Sequence, residues 1–301
     1  MKVLSFIYCV VLLAGATAVW AYEEVQVTEG GTISGKVTML GAKPTPKGFN
    51  LITFPDPVYC GRISTGTGWR VLQEFTLAQD GGLQNAVVLL TDATKGKPFK
   101  FEPPTIEARD CRFLPFVTVV KDQEEVNVVN MDPVFHDIQA YETSNLGPRV
   151  LFSTPLPMNP HHQRNVGANT HEHLAGQPMK EVIHMTKDRR IFVMQCGFHA
   201  YMESWGLAVD NPYFAMTQAD GTFSLNNVPP GDYTLVAWHP GVGTMTEKKV
   251  TVPAKQMVKA DFVFESPKGR RSAEIEENPH FGLGSLGKAI DIKPTLELQV
   301  P

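Results

Sequence analysis

Residues 220–241, DGTFSLNNVPPGDYTLVAWHPG, hold two turn signals and two alternating strands in one short stretch. Asp220-Gly221 supplies the first turn, and Phe223 and Leu225 then point to one face. Pro229-Pro230-Gly231 makes the next turn, after which Tyr233, Leu235 and Ala237 resume the alternation. A period of two is the signature of a half-buried strand, not of a helix, and the stretch is expected to form a hairpin.

The same pattern recurs in both directions from this stretch. GTISGKVTML (31–40), NAVVLLTD (85–92), FVTVVKD (116–122), EEVNVVNM (124–131), RIFVMQC (190–196), KKVTVPA (248–254) and KADFVFE (259–265) are short and rich in Val, Thr and aromatics. Turn formers separate them, and the chain holds 25 Gly and 23 Pro, so punctuation is frequent. No long helix-period pattern accompanies them. The expectation is an all-β chain built of two β-sandwiches, for which 301 residues give ample room.

At 43% hydrophobic and 19% charged the composition is that of a globular protein. A formal net charge of −4 offers no basic excess for nucleic acid. Residues 1–21, MKVLSFIYCVVLLAGATAVWA, combine one lysine, an apolar run and a small-residue end, which reads as a secretory signal peptide cut after Ala21. Losing Lys2 with it takes the charge from −4 to −5. An uncleaved amino-terminal anchor is the rival, since the run approaches the ~20 residues of a membrane helix. The expected location is periplasmic or extracellular. Residues 266–301 are charged and Gly-punctuated, and are expected to form an extended tail.

Without Cys9 the chain keeps Cys60, Cys111 and Cys196, an odd number for an oxidising compartment. Three internal pairings are open. Cys60 and Cys111 lack a nearby ligand pattern and Cys196 has one, which favours a Cys60–Cys111 disulfide.

The 216–241 stretch resembles the carboxypeptidase regulatory-like (transthyretin-like) sandwich family, whose hairpin has the form DGxFxLxxVPPGxYTLxxWHPG. GTISGKVTMLGAKP (31–44) resembles the first strand of that family and LQNAVVLLTD (83–92) its middle strand. In the family these strands lie close together; here residues 93–215 intervene. The resemblance therefore implies a discontinuous domain, 22–103 with 213–265, into which residues 104–212 are inserted. His239, in WHPG, is read as structural.

Within the insert, EEVNVVNMDPVFHDIQAYE (124–142) runs as a strand, an Asp-Pro and then His136 opening another strand. VMQCGFHAYM (193–202) ends a strand at Cys196 and places Cys196, His199 and Met202 at intervals of three. This resembles the cupredoxin family of the amicyanin kind. The resemblance implies a Greek-key sandwich binding one type 1 copper, with His136, Cys196 and His199 as equatorial ligands and Met202 as the weak axial one. A thiolate, two imidazoles and a distant thioether suit both Cu(II) and Cu(I), the property of an electron carrier rather than an enzyme. In the family the loop histidine reaches the surface. The implied docking site for a redox partner, a cytochrome or copper enzyme, is thus the surface near His199, with Phe198, Tyr201 and Trp205 around it.

One departure from the family pattern is the His-rich stretch 155–185, in which His161, His162, His171 and His173 are candidates for a second metal site and His184 follows. Nine histidines are too few for a trinuclear copper cluster beside a blue site in one chain. Cys-x-x-Cys-His, a serine-nucleophile motif and a phosphate-cradling Gly loop are all missing. Two other functions stay open: a non-redox binding or scaffold protein, and a copper storage or delivery protein.

Overall fold

A computed structural model of the chain describes residues 22–63, 68–142, 147–162, 172–187 and 189–267. The expected leader 1–21, residues 268–301 of the tail, and part of the His-rich stretch with His171 lie outside the described residues. Strands dominate, with one short α-helix, Pro57–Ile63, among the described residues.

One sandwich is made from the two ends of the chain. Its first sheet orders Phe214–Met216, Val87–Leu90, Gly231–Trp238 and Met245–Val252. The facing sheet orders Thr222–Val228, Gly31–Leu40 and Met257–Lys259, with Phe262–Glu265 also paired to Gly31–Leu40. Ile33, Val37, Val88, Leu90, Phe223, Leu225, Leu235 and Phe262 meet between the sheets.

The expected hairpin takes a different form. Thr222–Val228 pairs with Gly31–Leu40, and Gly231–Trp238 pairs with Val87–Leu90 and Met245–Val252, so the Pro229-Pro230-Gly231 turn carries the chain across the core from sheet to sheet. Phe223 and Leu225 on one strand therefore face Leu235 and Ala237 on the other. Alternation alone is the same for two strands side by side and two strands facing, and paired prolines supply no N–H to a shared ladder. The Asp220-Gly221 turn does form. Asp220 Oδ1 accepts from Thr222 N at 3.0 Å, and Gly221 sits at φ +82° with Val37 O only 2.5 Å from where a Cβ would stand.

The second sandwich lies between these halves in sequence. A mixed five-stranded sheet orders Arg149–Leu156, His136–Glu142, Ile191–Gln195, Glu203–Val209 and Val117–Lys121, the last pair parallel. A four-stranded sheet of Met179–Val182, Glu125–Asn130, Thr105–Ala108 and Phe113–Leu114 faces it. Ile106, Val126 and Val128 from the smaller sheet meet Ile138, Ala140, Phe192 and Met194 from the larger in one core. This mixed sheet packed on a second one is a cupredoxin-like arrangement.

The sandwiches share a third cluster. Val87, Leu89, Val236 and Trp238 on the outer face of one pack with Val117, Val119, Leu207 and Val209 of the other. All four residues of Val87–Leu90 are buried as a result, the two outward ones against the neighbouring sandwich.

One segment packs away from the sandwich in which its place in the sequence put it. Residues 48–71 fall in the expected 22–103 portion, yet Leu51, Tyr59, Cys60 and Ile63 belong to the core of the second sandwich. The Cys60–Cys111 disulfide fastens the segment there. Among its described residues, Pro55 and Phe54 lie over the ligand loop, against His199 and Tyr201.

Candidate metal centre

Strand register brings the ligands together. Gln139 pairs with Gln195 in an antiparallel ladder, so His136, three residues earlier, lies beyond the end of Ile191–Gln195, where the loop 196–202 begins. That loop is closed on itself: Cys196 N donates to Met202 O at 3.1 Å, and Met202 N to His199 O at 2.8 Å. His136, Cys196, His199 and Met202 are all buried, none more than 1% exposed. Their burial makes the arrangement a preformed interior site, not a surface cluster.

The two imidazoles face each other through Nδ1, 3.2 Å apart. Cys196 Sγ lies 4.0 Å from His136 Nδ1 and 3.6 Å from His199 Nδ1. The outer nitrogens are engaged with oxygens: His136 Nε2 with Asp132 Oδ2 at 3.0 Å, and His199 Nε2 with Pro55 O at 3.1 Å. A carbonyl or carboxylate oxygen only accepts, so both Nε2 atoms carry a proton, and each ring presents its Nδ1 lone pair to the site when it is neutral. Two lone pairs at this distance repel, and either a shared proton or a metal ion relieves the repulsion. The donor set of two imidazole nitrogens and one sulfur therefore fits a metal, and its mixed softness fits copper.

The electrostatics agree. Burial, and after it the neighbouring His136, pushes His199 down to about 3, so it stays a neutral ligand over the whole physiological range. Burial, with the charge of Asp137 alongside, pushes the Cys196 thiol up to about 12. A bare thiolate is thus disfavoured here, and a bound cation is what would stabilise it.

Four residues outside the expected ligand set hold it in place. Asp132, fully buried, accepts from Cys111 N and Asp110 N, both at 2.8 Å, and from Tyr59 Oη at 3.1 Å, besides His136. Burial by itself would raise its pKa, but the hydrogen bond and charge of His136 and the two amides win and lower it. Asn130 secures the turn before it, its Oδ1 accepting from Asp132 N at 2.9 Å. Asp137 accepts from Gly197 N at 2.5 Å and from Cys196 Sγ at 3.3 Å, tying the first strand to the ligand loop. Pro55 caps His199. Asp132 and Asp137 stand four residues before and one after His136, close enough for the motif to have flagged them; Pro55, distant in sequence, left no signal.

The expected surface exit at His199 is corrected by this geometry. His199 is fully buried beneath Pro55, and Tyr201, 1% exposed, turns inward against Phe54 and Phe49 with ring centroids 5.0 and 6.1 Å away. Trp205 packs with the cluster between the sandwiches instead. Of the expected aromatic surface Phe198 and Trp205 are partly exposed, and Phe198, next to the ligand loop's His199, meets Phe135, 36% exposed, edge to face at 5.2 Å. Among the four candidates for a second site, His161 is exposed at a turn, His162 and His173 come together with ring centroids 5.0 Å apart, and His171 lies outside the described residues. His239 stacks on Phe75 at 5.1 Å inside the other sandwich, far from any ligand role.

Residues 208–265 match the family model of the carboxypeptidase regulatory-like domain. A search of curated proteins returns no match. Among solved structures, a purple cupredoxin from Nitrosopumilus maritimus is 16% identical, with 35% of this chain and 99% of that one covered, at a TM-score of 0.25. The Cu(I) form of an amicyanin mutant is 11% identical over 36% of this chain and 85% of its own, at 0.24. A Cu-containing nitrite reductase from Thermus scotoductus SA-01 is 16% identical over 38% of this chain and 24% of its own, at 0.25. At such scores the weight of the fold assignment rests on strand order and register. The chain thus carries a carboxypeptidase regulatory-like domain, matched over residues 208–265, beside a sandwich of cupredoxin-like fold that encloses a buried His-Cys-His group.

Proposed function

We propose that the chain is a type 1 copper protein that carries single electrons between redox partners outside the cytoplasm. The observation that supports this most directly is the pair of Nδ1 atoms 3.2 Å apart beside Cys196 Sγ, with both Nε2 protons already committed to oxygen acceptors. Copper held by His136, Cys196 and His199, with Met202 as axial donor, would exchange one electron between Cu(II) and Cu(I). Asp132 and Pro55 fix the two rings, Asp137 fixes the cysteine end of the loop, and the closed loop excludes water. A donor set held this way changes little in shape as charge changes, which lowers the cost of electron transfer.

Phe135, exposed, and Phe198, partly exposed, form an apolar pair adjoining the ligands, and this is where a transient redox partner is proposed to dock. The Cys60–Cys111 disulfide supports a location in the periplasm or outside the cell. The direct test is to load the purified chain with copper and record its visible spectrum. An intense thiolate-to-copper band that vanishes in Cys196→Ser is expected. No band, or a band that survives Cys196→Ser, overturns the reading.

A further inference from the structure

Behind Asp132, on the side away from Cys196, stands a second group of metal-ligating side chains. His173 Nε2 lies 3.0 Å from Asp110 Oδ1, and ligand atoms of Asp110, Asp132 and His173 fall within 4.8 Å of one another. The His162 ring, 6% exposed, stacks obliquely on His173 with centroids 5.0 Å apart, and its Nε2 is 3.5 Å from Tyr59 Oη, which reaches Asp132 Oδ1. Cys111 also lies near Asp132, but its sulfur is spent in the disulfide. The donors within reach of one ion are then one imidazole and two carboxylates, with no sulfur, and His162 stands beside them against His173.

We infer that Asp110 and His173, with His162 packed beside them, form a second divalent-metal site that shares Asp132 with the His136–Cys196–His199 centre. Nitrogen and carboxylate donors without sulfur suit Zn2+ or Cu2+ and disfavour Cu(I), so the site selects a different ion state from its neighbour. His173 keeps 15% of its side chain exposed, which gives an ion a way in from solvent. Asp132 offers Oδ2 to His136 and Oδ1 to Tyr59, on the side of the new site. A cation near Oδ1 draws electron density from the carboxylate and weakens its hydrogen bond to His136. Occupancy of the second site is therefore felt at the first.

The site needs no copper at the first centre, so it is tested in a Cys196→Ser/His199→Ala background that disables that centre. Zn2+ is titrated into the apo chain, with stoichiometry read by native mass spectrometry and affinity by calorimetry. One Zn2+ per chain is expected, its affinity falling by about tenfold or more when His173→Ala or Asp110→Asn is added. No bound Zn2+, or binding that both changes leave untouched, overturns the inference and assigns the ion to surface histidines such as His161. A second measurement uses the otherwise unchanged chain loaded with one copper. Added Zn2+ is expected to move the visible band, and His173→Ala to abolish that movement; a band that stays fixed while Zn2+ binds refutes the sharing of Asp132. Failure of the copper reading removes the band and leaves the Zn2+ stoichiometry intact, so the two failures are told apart.

Discussion

Replacing Asp132 tests whether one buried carboxylate holds the ligand end of the cupredoxin-like sandwich together. In Asp132→Ala four donors lose their acceptor: Cys111 N, Asp110 N, Tyr59 Oη and His136 Nε2. Tyr59 Oη and Asp110 N adjoin the partly exposed Asp110–His173 pair, where water can replace the lost oxygen. Cys111 N and His136 Nε2 are enclosed, and a buried donor left unmatched costs about 1–3 kcal/mol. Relief from burying the charge offsets part of the rest, which leaves about 3–5 kcal/mol, the range for breaking a buried pair from one side. Asp132→Asn keeps one oxygen. If that oxygen stays on Cys111 and His136, the amide faces Tyr59, which can turn to accept, and only Asp110 N is stranded, for about 1–3 kcal/mol. Urea unfolding of the metal-free chain, followed by near-UV circular dichroism, measures both. Copper affinity should fall about 10- to 100-fold in either variant as His136 loses its orientation. A loss within about 0.5 kcal/mol for Asp132→Ala, the scale of an ordinary surface change, refutes the bracing role.

Other perturbations probe the surroundings. Tyr201 Oη is buried and meets no hydrogen-bond partner among the described residues, so Tyr201→Phe should raise the melting temperature, with a gain of about 1 kcal/mol. A Cβ at Gly206 would stand 1.9–2.4 Å from Phe192 ring carbons; Gly206→Ala should cost about 3 kcal/mol by urea unfolding, and Phe192→Leu should recover part of it. Burial raises Glu142, but the Arg149 hydrogen bond at 2.7 Å and the Thr186 amide outweigh it and hold the carboxyl at about 2, against an ordinary 4.5. Its folded pKa is depressed, so its contribution is full above pH 4.5 and is lost as pH falls toward 2. Arg149 is 48% exposed and screened, which brings the loss to about 2 kcal/mol; Glu142→Gln should flatten the acid limb of stability against pH.

What the sequence made legible is what local chemistry determines. Asp220-Gly221 specifies a turn by itself, and Cys196, His199 and Met202 sit in one loop whose spacing survives any tertiary detail. Long-range choices were not legible. Phe223 and Leu235 alternate identically whether their strands pair or face across a core, and only the pairing partners Gly35 and Leu90 decide between the two. Val87–Leu90 reads as a strand buried on both faces, yet nothing in those four residues names Val117 and Leu207 as the outer contact. Asp132 was visible as half of an Asp-Pro turn. Its four-fold acceptor role depends on Tyr59, 73 residues away, and on a disulfide that brings the 48–63 segment over the site.

That disulfide connects the two supports of the candidate metal centre. Cys60 lies on the helix that follows Pro55, the cap on His199, while the Cys111 amide grips Asp132, the brace on His136. With a sequence separation of 51 between the partners, the chain-entropy relation assigns the cross-link about 4 kcal/mol at 25 °C. Cys60→Ala/Cys111→Ala should lose about that much stability. Where the loss is felt is the sharper question. If the cross-link holds the cap down, hydrogen exchange in residues 49–63 should accelerate well before exchange in the strands Ile191–Gln195 and Glu203–Val209, and water should reach His199. Leu51, Tyr59 and Ile63, buried in the same core, are the other anchor of the cap. If they alone hold the cap, exchange in 49–63 stays tied to global unfolding while stability falls, and the disulfide acts on the unfolded chain instead of on the site.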